Sequence, residues 1–173
     1  MNPLVLFLPV YRASATAFLA GLALLAVIDL VRIQYGLGPV PVWLGMLAIW
    51  FFVLSLFINR RRHAGRGVAL AVLPVGLAIV SKGVGAIIGL MPAIYRSMVD
   101  FAGDNGVDTS DQQAMAQAFN DPGFQQEFQR FLQDNPERME QLLGATGLAS
   151  FIGFWLVIVL FALWFARLPR RAG

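Results

Sequence analysis

Four long apolar stretches constrain the fold of this chain more than any other feature of its sequence. They run over roughly residues 15–33, 42–58, 68–90 and 148–166. Each approaches the length of about 20 residues that an α-helix needs to cross the hydrocarbon core of a bilayer. Hydrophobic residues make up 58% of the chain and charged residues 13%, whereas soluble domains have about 45–50% and about 25%. The sequence therefore predicts an all-α membrane protein with four transmembrane helices.

The arginines outside these stretches predict how the chain is oriented. One lies at residue 12, a group lies between the second and third stretches, and another group follows the fourth. If the chain crosses the membrane four times, these eight arginines fall on the same side, whereas the loop at 91–147 holds three arginines and nine carboxylates. Because cytoplasmic loops carry an excess of Lys and Arg, both termini are expected in the cytoplasm. Residues 91–147 are then expected on the opposite, extracytoplasmic side.

The segment between the third and fourth stretches differs from the rest in charge. The chain has ten carboxylate residues, and all but Asp29 lie between residues 91 and 147. We therefore divide the sequence into three regions. These are a three-span region at 1–90, an amphipathic helical loop at 91–147, and a fourth span with a basic tail at 148–173.

Helix-start signals predict two or three short helices in this loop. Ser110 precedes Gln113 by three residues, which is the capping-box spacing. Residues 121–122 and 135–136 each pair an N-cap residue with a proline suited to the first helical turn. Four apolar residues then share one helix face: Phe124, Phe128, Phe131 and Leu132. This face is expected either to cover the membrane or the chain's own helices, or to form a docking face for a partner.

Three ionisable residues lie inside the predicted spans. Asp29 and Lys82 each lie about 15 residues from the cytoplasmic end of their span, so both are about 22 Å deep at 1.5 Å per residue. An Asp29–Lys82 ion pair is therefore expected, and Arg32 either shares the carboxylate or extends outward. Such residues are costly in a membrane and usually find a partner. They fix helix register, form a proton or ion relay, or contact another protein.

Small residues recur at every fourth position beside Lys82, at Ser81, Gly85 and Gly89. Small residues at this spacing let two helix backbones approach closely. The sequence predicts a helix-packing face here, either within this chain's own bundle or between molecules.

The loop between the second and third stretches carries Arg60, Arg61, Arg62 and Arg66 beside the only histidine, His63. The loop is too short for a nucleic-acid surface, which needs a groove lined with basic and stacking side chains. Anionic lipid headgroups on the cytoplasmic side are the expected contact, because each Lys or Arg near that leaflet contributes about 1 kcal/mol. The acidic surface of a partner protein is the alternative.

Residue types needed for catalysis are scarce. The chain has no cysteine and a single histidine, which excludes disulfides, thiolate metal sites and any two-histidine metal site within one chain. We find no nucleophile with a base and an orienting group, no calcium-loop spacing and no phosphate-binding loop. We expect neither an enzyme nor a cofactor or metal site.

Two short segments resemble a known family. "RASATAF" at 12–18 and "RRRHAGRG" at 60–67, with Pro74 in the apolar run that follows, resemble domain-of-unknown-function family 805, a group of small bacterial inner-membrane proteins. The resemblance covers roughly residues 11–90. Ala17 and His63 stand where the family has acidic residues. The resemblance implies a multi-pass protein of the bacterial inner membrane, with residues 91–147 in the periplasm, and implies no activity.

Together these features favour a non-catalytic accessory or scaffold subunit that contacts membrane lipids and other membrane proteins. Two alternatives stay open. One is a homo-oligomeric channel or transporter that uses Asp29, Arg32 and Lys82. The other is a lipid- or peptide-binding cap that uses the loop helices.

Overall fold

The computed structural model describes residues 8–35 and 41–169, and every regular element within these ranges is helical. The first two helices are α1 (Ala15–Tyr35) and α2 (Val42–His63). A 3₁₀ turn (Ala69–Ala71) leads into α3 (Val72–Asp104). The short helices α4 (Gln112–Asn120) and α5 (Pro122–Asp134) precede the long α6 (Pro136–Ala166). The last two arginines of the predicted basic tail, Arg170 and Arg171, lie outside the described residues.

Four helical segments are long and apolar enough to cross a membrane. They are α1, α2, the segment Ala69–Asp104 and α6, with mean hydropathies between 2.0 and 2.5. The predicted fold class is confirmed at this level: the described chain is all-helical and contains four candidate spans.

Two of these helices extend well beyond the apolar stretches that predict them. Helix α3 has 33 residues, which corresponds to about 50 Å at 1.5 Å per residue. It continues through Ser81, Lys82 and Gly83 and past Pro92. Helix α6 begins at Pro136, well before its apolar part. Much of the predicted loop is therefore the continuation of two spans, and α4 and α5 form only its middle.

The described part of the chain forms two compact units. The first lies within residues 1–84 and 151–173, and the second contains residues 85–150.

Phenylalanine side chains form the centre of the first unit. The rings of Phe18 and Phe57 meet edge to face with centroids 5.1 Å apart, and Phe57 meets Phe165 in the same way at 5.0 Å. All three side chains are fully buried. Edge-to-face packing of this kind adds about 0.5–1.5 kcal/mol beyond the burial of area. These contacts hold α1, α2 and the end of α6 together.

A second aromatic cluster forms the core of the second unit. Phe101 of α3 contacts three rings of α5, with centroids 5.3 Å from Phe124, 5.6 Å from Phe128 and 5.0 Å from Phe131. Phe124 and Phe128 are buried, and Phe131 and Leu132 pack against them. The face that the sequence offers as a docking surface is thus an internal packing face. The docking interpretation was wrong because the apolar stretch predicts that the third helix ends near residue 90. The helix in fact extends beyond Phe101, whose ring packs against this face.

Helix caps in the second unit agree only in part with the capping signals. Asp121 accepts a hydrogen bond from the Gly123 amide at 2.9 Å and Pro122 begins α5, so this start is confirmed. The predicted Ser110 cap of α4 is wrong, because Asp111 accepts the bond from the Gln113 amide instead.

Ser110 has a different partner. Its hydroxyl and its amide both donate to Asp108 Oδ1, at 2.6 Å and 2.9 Å. These two bonds favour the charged carboxylate and lower the pKa of Asp108. Ser110 therefore orders the turn before α4 rather than the first turn of the helix.

Candidate functional site: buried charges and helix contacts

Asp29 and Arg32 form a buried ion pair on α1. The Nε and Nη2 atoms of Arg32 donate to Asp29 Oδ1 at 3.0 Å and 2.8 Å. Only 2% of Asp29 and 8% of Arg32 are exposed. Their spacing of three residues on one helix puts the two side chains side by side, so the pair forms within α1 alone.

A tryptophan from another helix completes this cluster. Trp155 of α6 donates its Nε1 hydrogen to Asp29 Oδ2 at 2.9 Å. The indole is 6% exposed and also meets the Phe154 ring edge to face, with centroids 5.4 Å apart. Trp155 therefore links α6 to the charged pair of α1 through a hydrogen bond to a charged acceptor, a bond that contributes about 1.5–3 kcal/mol.

The geometry of this cluster indicates what it can do chemically. Asp29 accepts three hydrogen bonds, which occupy most of the roughly four lone-pair positions of a carboxylate. Asp29 is therefore a fixed hydrogen-bond acceptor that joins α1 to α6.

Lys82 does not form the predicted ion pair with Asp29. Within the described ranges no Asp29–Lys82 nitrogen–oxygen distance falls at or below 4 Å, and the partner of Asp29 is Arg32. Lys82 is half-buried and lies within electrostatic range of both residues. The physical reason is local: Arg32 is three residues from Asp29 on the same helix and supplies two donors, and Trp155 takes the other oxygen.

Arg60 has a structural role at the end of another helix. Its Nε donates to the Phe165 carbonyl at 3.0 Å, and its Nη2 donates to the carbonyls of Ala166 and Leu168 at 2.8 Å and 2.9 Å. The last carbonyls of a helix have no partner within the helix. A cation at this end also interacts favourably with the helix dipole. Arg60 of α2 therefore caps the C-terminus of α6.

Arg61 is also directed at the protein rather than at solvent. Its Nε donates to the Gly67 carbonyl, and its guanidinium carbon lies 5.6 Å from the centroid of the Phe165 ring. It is 8% exposed, compared with 5% for Arg60. The expectation that these two arginines contact lipid or a partner is therefore wrong. Arg62 and Arg66 are exposed and keep that expectation.

The two segments that carry the family resemblance lie together. The Ala13 amide donates to the Asn59 carbonyl at 3.0 Å, and the Asn59 side chain donates to the Leu8 carbonyl at 2.9 Å. Ser14 caps α1 through a bond from the Ala17 amide at 3.2 Å. Gly65 ends the turn after α2 with a φ of 69°, which favours glycine. Hydrogen bonds therefore hold these two segments next to each other in this chain.

Two glycines of α3 pack directly against α6 in the second unit. A methyl group added to Gly89 would lie 2.7 Å from the Ala145 carbonyl oxygen and 2.7 Å from the Ala149 Cβ. A methyl group on Gly85 would collide with the Ala149 carbonyl oxygen. The small residues at 85 and 89 thus face this chain's own helix.

Ser81 makes a comparable contact in the first unit. Its hydroxyl donates to the Gly153 carbonyl of α6 at 2.9 Å. A methyl group added to Gly153 would lie 2.6 Å from the Ser81 carbonyl oxygen. Close approach and a side-chain hydrogen bond therefore both join α3 to α6 here.

We expect Gly89→Ala to lower the free energy of unfolding by about 1–3 kcal/mol, the usual cost of overpacking. Gly83→Ala is the matched control, because no atom outside its chain neighbours and its own helix backbone lies within 4 Å of the added methyl group. Alanine there should be neutral or stabilise the helix by up to about 1 kcal/mol. Unfolding in mixed detergent micelles, followed by circular dichroism, measures both. Equal effects of the two substitutions would contradict the close packing at Gly89.

Sequence reasoning missed three residues of these sites. In the sequence, Trp155 is only one residue of an apolar span, Asn59 carries no distinguishing signal, and the charge of Arg60 predicts a place at the membrane surface. A signal existed for Trp155, since it lies inside its span with an N–H group that needs an acceptor. No local signal identifies the carbonyls that Arg60 caps, because they lie more than 100 residues away in the chain.

No metal site emerges in the ranges that the structure describes. No group of three or more His, Asp or Glu residues there lies close enough to hold a metal ion. Comparisons with protein-family models, with curated proteins and with solved structures find no match to this chain. The function must therefore be argued from the geometry itself.

Proposed function

We propose that this protein is a non-catalytic integral membrane protein that acts as an accessory or scaffold subunit of a larger membrane complex. One observation carries the proposal. The ion pair within the candidate spans is satisfied inside the chain, whereas the remaining carboxylates are concentrated in residues 91–147. Polar groups in the spans then serve the fold, and polar groups outside them are available to other molecules.

The surface of the four candidate spans supports contact with lipid or with other membrane helices. Large apolar side chains are exposed along each of them, and examples are Val27, Leu47, Ile87 and Leu160. Such a surface is stable only in an apolar environment. The bacterial inner membrane, with both termini in the cytoplasm and residues 91–147 in the periplasm, is the proposed location. It rests on the arginine distribution and on the resemblance to domain-of-unknown-function family 805.

The second unit supports a role in docking. Its exposed residues include Glu127, Asp134 and Glu140, and none of these three makes an ion pair within the described ranges. The phenylalanines that would otherwise offer an apolar docking face are used in its core. An acidic, internally packed helical unit is therefore best suited to a basic surface on a partner subunit.

Co-purification tests this proposal. The tagged protein, expressed at its native level and extracted in mild detergent, should contain a second polypeptide in a fixed ratio by native mass spectrometry. Neutralising Glu127, Asp134 and Glu140 to their amides should lower that ratio. Neutralising the exposed arginines Arg62, Arg66 and Arg167 to Gln is the matched control and should leave it unchanged. A particle that contains only this chain would overturn the proposal.

An oligomeric channel is the second candidate, and Lys82 favours it. This half-buried lysine forms no ion pair within the described ranges. Of the three ionisable residues in the apolar parts of the candidate spans, Asp29 and Arg32 are paired with each other, so Lys82 is the one available to line an aqueous path. The lipid- or peptide-binding cap built on the phenylalanine face is not retained, because Phe124 and Phe128 are buried.

A further inference from the structure

A groove lined by both charged and apolar side chains lies between α3 and α6 within the second unit. Its volume is about 280 Å³. Residues from one face of each helix line it: Ala93, Arg96, Ser97 and Asp100 from α3, and Arg138, Gln141, Leu142 and Ala145 from α6. Neither the fold nor the proposed docking role accounts for this combination of side chains.

Several donors in the groove have weak partners or none. Arg138 lies 3.6 Å from Asp100 in an ion pair whose side chains are 42% and 59% exposed. Arg96 makes no ion pair within the described ranges. Ser97 is 8% exposed, and no hydrogen bond from its hydroxyl to the described residues is present, so the hydroxyl is available as a donor to a molecule in the groove.

We propose that this groove binds the phosphodiester group of an anionic phospholipid. Arg96 and Arg138 carry two positive charges and Asp100 carries one negative charge, which leaves a net charge of +1. A phosphodiester carries one negative charge and neutralises it. The guanidinium fork matches phosphate geometry, and the Ser97 hydroxyl supplies a further donor.

The place of the groove in the chain favours a lipid over a free phosphate. Its first residue, Ala93, follows the apolar part of α3 by three residues, so the groove is expected at the level of the headgroups. Tyr95, beside it, is 59% exposed, as is typical of residues at the membrane interface. Leu148, one turn below Ala145 on α6, is 53% exposed and offers an apolar surface for an acyl chain.

This inference is independent of the accessory role. It also changes where lipid is expected to be recognised, because Arg60 and Arg61 of the basic loop are committed to carbonyl and aromatic groups of the protein.

Titration of the detergent-solubilised protein with phospholipids, read by native mass spectrometry, tests the site. Phosphatidylglycerol should bind more tightly than phosphatidylcholine of the same acyl chains. Arg96→Gln and Arg138→Gln should each weaken phosphatidylglycerol binding about tenfold or more, the loss expected for a charge-assisted hydrogen bond. Arg130→Gln changes the same charge outside the groove and should have no effect.

Asp100→Asn provides the sharpest control. It removes the same exposed ion pair as Arg138→Gln, so both substitutions have the same small effect on stability. Their effects on binding should be opposite, because Asp100→Asn removes the only negative charge of the groove and should strengthen phosphatidylglycerol binding severalfold. Ser97→Ala leaves all charges in place and should weaken binding severalfold.

Three results would overturn the proposal. They are equal binding of phosphatidylglycerol and phosphatidylcholine, a loss of binding in Asp100→Asn, and unchanged binding in both arginine variants. Inorganic phosphate distinguishes the source of the ligand. At millimolar concentration it should not displace the lipid, and full displacement would identify free phosphate as the ligand instead.

Discussion

Asp29→Asn is expected to lower the free energy of unfolding by about 3–5 kcal/mol, the usual cost of removing one partner of a buried ion pair. The substitution leaves the Arg32 guanidinium buried without its counter-charge and weakens the bond from Trp155. The apolar setting of α1 increases this cost, since little water is available to replace the carboxylate. Unfolding in mixed micelles, followed by circular dichroism, measures the change.

A double-mutant cycle identifies the partner of Asp29. Asp29→Asn combined with Arg32→Gln should cost less than the sum of the two single changes, by up to about 3 kcal/mol. Asp29→Asn combined with Lys82→Met should be nearly additive, because no Asp29–Lys82 ion pair is present in the described ranges. Trp155→Phe should cost about 1–3 kcal/mol by leaving Asp29 Oδ2 without its donor. Strong coupling to Lys82 and weak coupling to Arg32 would contradict the assigned pair.

Arg60→Met is expected to cost about 3 kcal/mol, because it removes a charged donor from three carbonyls at the end of α6. The side chain is 5% exposed, so water cannot readily take its place. Arg60→Lys keeps the charge at the helix end but loses the planar fork, and should therefore fall between the native protein and Arg60→Met.

Arg62→Met is the matched control for this position. It removes the same charge two residues further along the same helix, where the side chain is exposed. It should change the free energy of unfolding by less than about 0.5 kcal/mol, as is usual for surface substitutions. An equal loss in Arg60→Met and Arg62→Met would show that the basic loop acts through its overall charge and not through the cap on α6.

Sequence periodicity and length predicted the four long helices and the start of α5. The apolar spans are long enough to be recognised without tertiary information, and Asp121 with Pro122 is a local cap signal. Asn135 with Pro136 likewise predicted the start of α6, but not that this helix continues into the fourth span. The end of α3 was not predictable in the same way. Its polar turns pack against α5 through contacts of Phe101 with Phe124 and Phe128, which are tertiary contacts.

Partners of buried polar groups were predicted less well than the helices. Asp29 and Lys82 lie at similar depths in their spans, and this similarity predicted an ion pair between them. Depth, however, carries no information on which face of its helix a residue occupies. The observed ion pair forms within α1, with Arg32 three residues from Asp29, and only the Trp155 hydrogen bond depends on how α1 and α6 face each other. In the same way, the positive charge of Arg60 predicted a contact with lipid headgroups, whereas its guanidinium group donates hydrogen bonds to carbonyls at the end of α6.

Asp29, paired with Arg32 and bonded to Trp155, joins α1 to α6, and we expect the charges within the spans not to line a path for ions. Proton and cation flux into proteoliposomes that contain the purified protein tests it most directly. The account predicts no flux above that of protein-free vesicles at any membrane potential applied, both for the native chain and for Lys82→Met. A flux that is carried by the native protein and abolished by Lys82→Met would contradict it and would favour the oligomeric channel.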